Sequence, residues 1–194
     1  MPWNPQHKLD TREKILTSAY NLFTRRGYDQ VGINEVMAEA DLTRGVFYKY
    51  FSSKSDLYSE ALLQAASNSQ GQLRANCTEG GGFLEEVRRY LSPSHREGEH
   101  ANCPLAFLIT DIVHRDEEIR NTYTEVFRRF TSTIPQSADL EPQTENNTTS
   151  ERAIQSAVIM IGGLAISRAI NDEVLAEKIL LSCQQLLEAE ALSS

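Results

Sequence analysis

Apolar residues recur every three to four positions along almost the whole chain, and no stretch keeps the strict alternation of a half-buried strand. The pattern predicts an all-α protein of about nine helices. In the first, Ile15, Leu16, Ala19, Leu22 and Phe23 form one apolar stripe. Asp10, with Glu13 three residues on, suits a capping box, so the helix is expected to open there and residues 1–9 to form a loose arm. Gly27 marks its end, with Arg25 and Arg26 in the last turn, where cations suit the helix dipole. Two short helices follow, over roughly 33–40 and 44–51.

A long helix opens near Ser52, with Ser53 and Asp56 as its cap pair, and runs to about Ala75. Asn76 to Gly82 breaks it. Phe83 to Leu91 reads as a short helix and Ser92 to Asn102 as a polar loop. Pro104 sits well in the first turn of the next helix, whose stripe is Leu105, Leu108, Ile109 and Ile112. Asp116 caps a further helix carrying Ile119, Tyr123, Phe127 and Phe130. Residues 133–150, with Pro135 and Pro142, read as a flexible connection before two final helices at about 150–170 and 172–191. Between Ala157 and Ile166 the chain has only ten consecutive residues without a polar side chain, against the ~20 a membrane span needs, so this helix is expected to be buried or at an interface.

Charge refines this picture. The net charge of −8 argues against a nucleic-acid partner for the chain as a whole. Residues 1–60, however, hold eight basic and eight acidic side chains, and residues 61–194 supply the whole deficit. Any affinity for DNA must therefore come from a local patch near the amino end. Three scattered cysteines, Cys77, Cys103 and Cys183, make neither a disulfide framework nor a metal site. The first residues lack a basic stretch and an apolar stretch, so no signal peptide is expected, and a reducing, cytoplasmic setting fits.

The segment from Ile33 to Phe51, INEVMAEADLTRGVFYKYF, carries the most chemistry. Two short helices joined by a tight turn form a helix-turn-helix pattern, and the second crowds Arg, Lys and Tyr side chains together. Thr43 is placed to cap that helix, with its hydroxyl available to a backbone or phosphate group. Arg44 can bind a guanine edge with two hydrogen bonds. Gly45 lets a backbone come close. Val46, Phe47 and Phe51 are expected to face inward, Tyr48 and Tyr50 to offer hydroxyls or ring edges, and Lys49 and Lys54 to hold phosphates. Double-stranded DNA is the partner that this set of groups fits.

The run TREKILTSAYNLFTRRGYDQVGINEVMAEADLTRGVFYKYFSSKSDLYSEAL resembles the N-terminal domain of TetR-family transcriptional regulators, TetR/AcrR-type. The resemblance centres on Thr43 to Phe51 followed by Lys54 and Leu57. Further on, NCPLAFLITDIVHRDEEIRNTY and GGLAISRAINDEVLAEKIL are similar to effector-domain segments of one subgroup. It implies an all-α homodimer with a three-helix DNA-binding domain at 10–52 and an effector-binding and dimerisation domain at 53–194. It implies a repressor released from a palindromic operator by a small-molecule effector, with DNA contacts at Asn34, Thr43, Arg44, Gly45, Tyr48, Tyr50 and Lys54. Dimerisation through the last two helices points to Gly162, Gly163, Ile166, Ile170, Leu180 and Leu187. Two positions depart from the family's habit: Asp41 stands where the turn often has Gly, and Gly32 where a Thr often touches phosphate.

Other readings lie beside these. Leu105, Leu108, Ile112, Tyr123, Phe127 and Phe130 are candidates for an effector pocket, although stripes like these more often form plain core. Asp111 and His114 are candidates to orient a ligand. Gly162-Gly163 can serve packing inside one subunit instead of a dimer seam. Cys103 at a helix start allows a thiol sensor of electrophiles or oxidants, and a body that docks a protein partner is a further alternative. The sequons at Asn146 and Asn147 read as chance. The four histidines have no motif context, and the chain shows no nucleophile–base pattern, metal motif or phosphate loop, so no enzymatic activity and no cofactor are expected.

Overall fold

A computed structural model describes residues 5–75, 82–98, 103–134 and 150–192. The fold is all-α: the described residues form eleven helices and no strand. They are α1 (Pro5–Arg26), α2 (Ile33–Glu39), α3 (Arg44–Phe47), α4 (Lys54–Ala75), α5 (Phe83–Tyr90), α6 (Pro93–Glu97), α7 (Pro104–Phe107), α8 (Ile109–Ile112), α9 (Glu117–Thr133), α10 (Glu151–Ala169) and α11 (Glu173–Leu192). Cys77, His100, Pro135, Pro142 and the two sequons lie outside the described residues.

The count exceeds nine because two segments hold turns of helix that periodicity hides. The expected polar loop after Leu91 contains α6. Ser92 accepts the amide of His95 as its N-cap, Pro93 fills the first position, and Gly98 closes it at φ 75°. Those are ordinary start and stop signals, compressed into five helical residues too few to show a stripe. The helix expected from Pro104 splits at Leu108 (φ −113°, ψ 3°) into α7 and α8.

The first helix begins at Pro5, not at Asp10, so the capping box read at Asp10 and Glu13 does not form. Proline is well suited to the first position of a helix, and nothing between Gln6 and Leu9 breaks it. Other caps behave as expected. Gly27 ends α1 at φ 76°, its amide bonded to Phe23 O at 2.8 Å. Ser53 and Asp56 both cap the start of α4: Asp56 N donates to Ser53 Oγ at 3.0 Å, and the Asp56 carboxylate accepts Ser52 N at 2.7 Å. Asp116 caps α9 through Ile119 N at 3.0 Å.

Helices α1 to α3 form a small amino-terminal head around Ile15, Leu16, Phe23, Val36, Met37 and Phe47, all buried. The long helix α4 packs against α1 on one side and α9 on the other, so it belongs to both head and body. The body's core joins Leu62, Val87, Tyr90, Leu105, Ile119, Phe130 and Leu164. Helices α10 and α11 pair with each other, and α10 also packs on α5, α6, α7 and α9. No helix among the described residues is long and apolar enough to cross a membrane.

Candidate nucleic-acid interface

Helix α2 ends in the turn that sets α3. Asp41 holds φ 56° there, a left-handed conformation that Asp tolerates better than most side chains. Leu42 N bonds back to Met37 O at 2.8 Å and fixes the reversal. Thr43 is the N-cap of α3 in extended conformation, and its hydroxyl makes no capping bond. The regular part of α3 is one turn. Beyond Phe47 the chain continues as bonded turns, with Lys49 N to Val46 O at 3.1 Å and Tyr50 N to Phe47 O at 2.9 Å.

Burial divides this segment into two sides. Phe47 and Phe51 are sealed in the core, 5.7 Å apart between ring centroids. Val46 and Tyr50 are half-buried against it. Thr43, Arg44, Gly45, Tyr48 and Lys49 are exposed, with Tyr48 at 59%. Asn34, in the first turn of α2, is exposed as well. A Cβ built on Gly45 would meet no atom within 4 Å, so internal packing does not demand glycine there. The fold holds these groups on its surface and needs none of them for its core.

Lys54 stands apart from that set. Its ammonium lies 4.1 Å from the ring centroid of Tyr28, and partial burial lowers its pKa, partly offset by the negative charge of Asp29. It belongs to a joint between head and body that sequence reasoning did not find. Asp111, from α8, accepts the hydroxyl of Tyr58 at 2.7 Å and the amide of Tyr28 at 3.3 Å. Arg115 clamps Asp29 with two bonds of 2.8 Å and lies 4.7 Å from the Tyr28 ring centroid. Tyr28 Oη, Ser55 Oγ and Asp116 Oδ2 form a chain with steps of 3.0 and 3.1 Å. The partners are 27 to 86 residues apart, so no local pattern announces them. Asp111, a sequence candidate for effector binding, thus spends its carboxylate at this joint, because the Tyr28 amide of the head and the Tyr58 hydroxyl of α4 converge on it. His114 is exposed.

The other candidates separate by burial. Leu105, Leu108 and Ile112 are buried, and Tyr123 and Phe127 pack half-buried beside them. Tyr123 donates its hydroxyl to Leu105 O at 2.7 Å. Among the candidates for the dimer seam, Leu180 and Leu187 are each 1% exposed and belong to the protomer's own core, which corrects their assignment. Gly163 is corrected likewise: its Cβ would fall 2.7 Å from Cys183 Sγ of the same chain, so its lack of a side chain lets α10 and α11 approach. Gly162 has open space beside it, Ile166 is exposed, and Ile170 is half-buried.

A surface of hydroxyl, guanidinium and ammonium groups on a short helix behind a tight turn defines a helix-turn-helix DNA-binding regulator. Residues 15–61 match the pattern describing bacterial regulatory proteins of the tetR family. The HTH-type regulator in the lacX 3′ region of Lactococcus lactis subsp. lactis is 25% identical over 130 residues, 61% of this chain and 63% of that protein, so the match stops short of that relative's full length. The HTH-type regulator YxaF of Bacillus subtilis (strain 168) is 23% identical over 186 residues, 91% of this chain and 93% of YxaF. The HTH-type transcriptional repressor NemR of Escherichia coli (strain K12) is 24% identical over 155 residues, 74% of each chain. The crystal structure of reduced E. coli NemR superposes with a TM-score of 0.72 at 18% identity, covering 93% of this chain and 97% of NemR's, which establishes a shared fold. Residues 15–61 are thus an amino-terminal domain of the tetR type, and the relatives and the shared fold support a TetR/AcrR-type transcriptional regulator.

Proposed function

We propose that this protein is a dimeric repressor that binds a palindromic operator and is released from it by a small-molecule effector. The observation that carries the reading is the exposed set Thr43, Arg44, Gly45, Tyr48 and Lys49, gathered around a buried Phe47. Arg44 reads a base edge, the Thr43 hydroxyl and Lys49 hold phosphates, and Gly45 gives the DNA backbone room. Asn34, Tyr50 and Lys54 contact the flanking phosphates. The printed description of NemR as a repressor supports that direction of control.

Dimerisation runs through α10 and α11. Val158, Ile166, Val174 and Leu181 each expose more than half of their surface on this pair. A row of apolar side chains facing water is what an isologous helix seam covers. Gly162 on α10 and Ile170 at its C-cap complete the seam, in which Gly163, Leu180 and Leu187 take no part.

The effector enters the body between α5, α7 and α9, beside Leu105, Leu108, Ile112, Tyr123 and Phe127. Tyr90 supports this placement: its hydroxyl is fully buried, and only the Cys103 thiol, a weak partner, stands near it, short of a regular hydrogen bond. A ligand atom that met that hydroxyl would remove the cost of leaving it unpaired, about 1–3 kcal/mol. The working division is a DNA-binding domain at 10–52 and a body at 53–194, with α4 serving both.

Selection of duplexes from a random pool tests the reading. It should enrich a palindrome whose half-sites lie about 34–36 Å apart, bound by two protomers as measured by native mass spectrometry. Recovery of no enriched sequence, or of a single half-site bound by one protomer, would reject it.

A further inference from the structure

Lys54 and Arg115 approach the same ring, Tyr28, from different parts of the molecule. Lys54 opens α4 at the DNA-facing end of the head, whereas Arg115 comes from the turn between α8 and α9. Two carboxylates act on Lys54: Asp111, already held by Tyr58 Oη and Tyr28 N, and Asp29, next to Tyr28 in sequence. The Asp29 side chain is 74% exposed, and both of its oxygens are engaged by Arg115. It acts electrostatically on Lys54, yet no direct ion pair between the two forms. Arg115 is firmly held: its Nε donates to Asp111 O at 3.1 Å, and its side chain is only 9% exposed. Its guanidinium is thus fixed at one edge by its own turn, at the other by Asp29, and along its face by Tyr28.

We propose that Arg115 is a positioning residue that shields Asp29, so that Lys54 stays available for a DNA phosphate only while the α8–α9 turn is docked on the head. If the turn lifts, Asp29 loses its partner. A bare carboxylate beside Lys54 then takes the ammonium away from the approaching phosphate. Docking of the body is read out at the DNA as a change in one lysine's partner. The turn joins α8 and α9, two of the helices that carry the effector candidates Ile112, Tyr123 and Phe127, so movement there reaches Arg115 directly. The inference rests on the proposed phosphate contact of Lys54.

Because a phosphate contact is independent of sequence, the test uses the full chain and a labelled mixed-sequence duplex at low salt. Four variants are compared with the parent: Arg115→Gln, Lys54→Met, the two combined, and Arg115→Gln with Asp29→Asn. Arg115→Gln should weaken binding several-fold and flatten the plot of log affinity against log salt by about 0.9 unit, as Lys54→Met does. The combined variant should bind no more weakly than Lys54→Met alone. Adding Asp29→Asn to Arg115→Gln should restore affinity and slope, although the guanidinium is still missing. A purely structural role for Arg115 would not be rescued by neutralising Asp29, and a persistent loss would overturn the proposal. Normal binding by Arg115→Gln beside a weakened Lys54→Met would overturn it while sparing the phosphate contact. Normal binding by Lys54→Met would instead reject that contact, and the proposal with it.

Discussion

Replacing Gly45 by alanine should push folding and DNA binding in opposite directions. The added Cβ would meet no atom within 4 Å, and Gly45 has no positive φ to strain it. Alanine is favoured over glycine in a helix by about 0.8–1.0 kcal/mol. Because α3 is a single turn, the gain should be half of that preference, about 0.5 kcal/mol. At the DNA the same methyl enters the space left for a phosphate backbone or base edge. Overpacking a close contact costs about 1–3 kcal/mol, a loss of roughly 5- to 150-fold in affinity. Urea unfolding followed by circular dichroism gives the first quantity, and fluorescence anisotropy on the selected duplex gives the second. A variant that is more stable and binds as tightly as the parent would show that Gly45 faces no DNA. A destabilised variant would show that the geometry of α3 is wrong.

The neighbouring glycines of α10 should also diverge. Gly163→Ala brings a Cβ to 2.7 Å from Cys183 Sγ and 3.3 Å from Leu91 Cδ2, so an overpacking cost of about 1–3 kcal/mol should exceed the propensity gain, and Cys183→Ala should recover part of it. Gly162→Ala has free space within the protomer and should leave its fold intact while weakening dimerisation, read by analytical ultracentrifugation; a Gly162→Ala dimer of unchanged affinity would remove Gly162 from the seam. Burial pushes the Cys103 thiol above its ordinary pKa of 9.0, so at pH 8 it stays protonated and should resist iodoacetamide in the folded protein, as mass spectrometry can follow. Since the folded state keeps this proton longer than the unfolded chain does, stability should fall as pH rises past 9.0, and rapid alkylation of native Cys103 would revive the thiol-sensor reading.

Much of the fold was legible because its signals are local. The stripe from Ile15 to Phe23, the cap pair Ser53–Asp56 and the left-handed Asp41 each act within a few residues, and the structure places them as expected. Short helices escaped, since α6 and the α7–α8 break are too brief to display a period. The exposed side of α3 was legible for another reason: a helix that leaves Arg, Lys and Tyr outside while burying Phe47 writes its two sides into the sequence. The head–body joint was not, because Asp111 meets Tyr28 and Tyr58 across more than fifty residues of chain. Leu180 and Leu187 misled because α11 carries apolar residues on two faces, and periodicity cannot tell which of them its own protomer covers.

The claim on which the account turns is that Arg44 reads sequence and Lys54 reads only phosphate. A panel of single-base variants of the selected duplex, titrated with Arg44→Ala and Lys54→Ala across a range of salt, tests it most directly. Arg44→Ala should cost about 1–3 kcal/mol and erase the preference at one position of each half-site. Lys54→Ala should weaken every duplex alike and lower the salt slope by about 0.9 unit. The reverse pattern, or equal losses with no base preference disturbed, would contradict it.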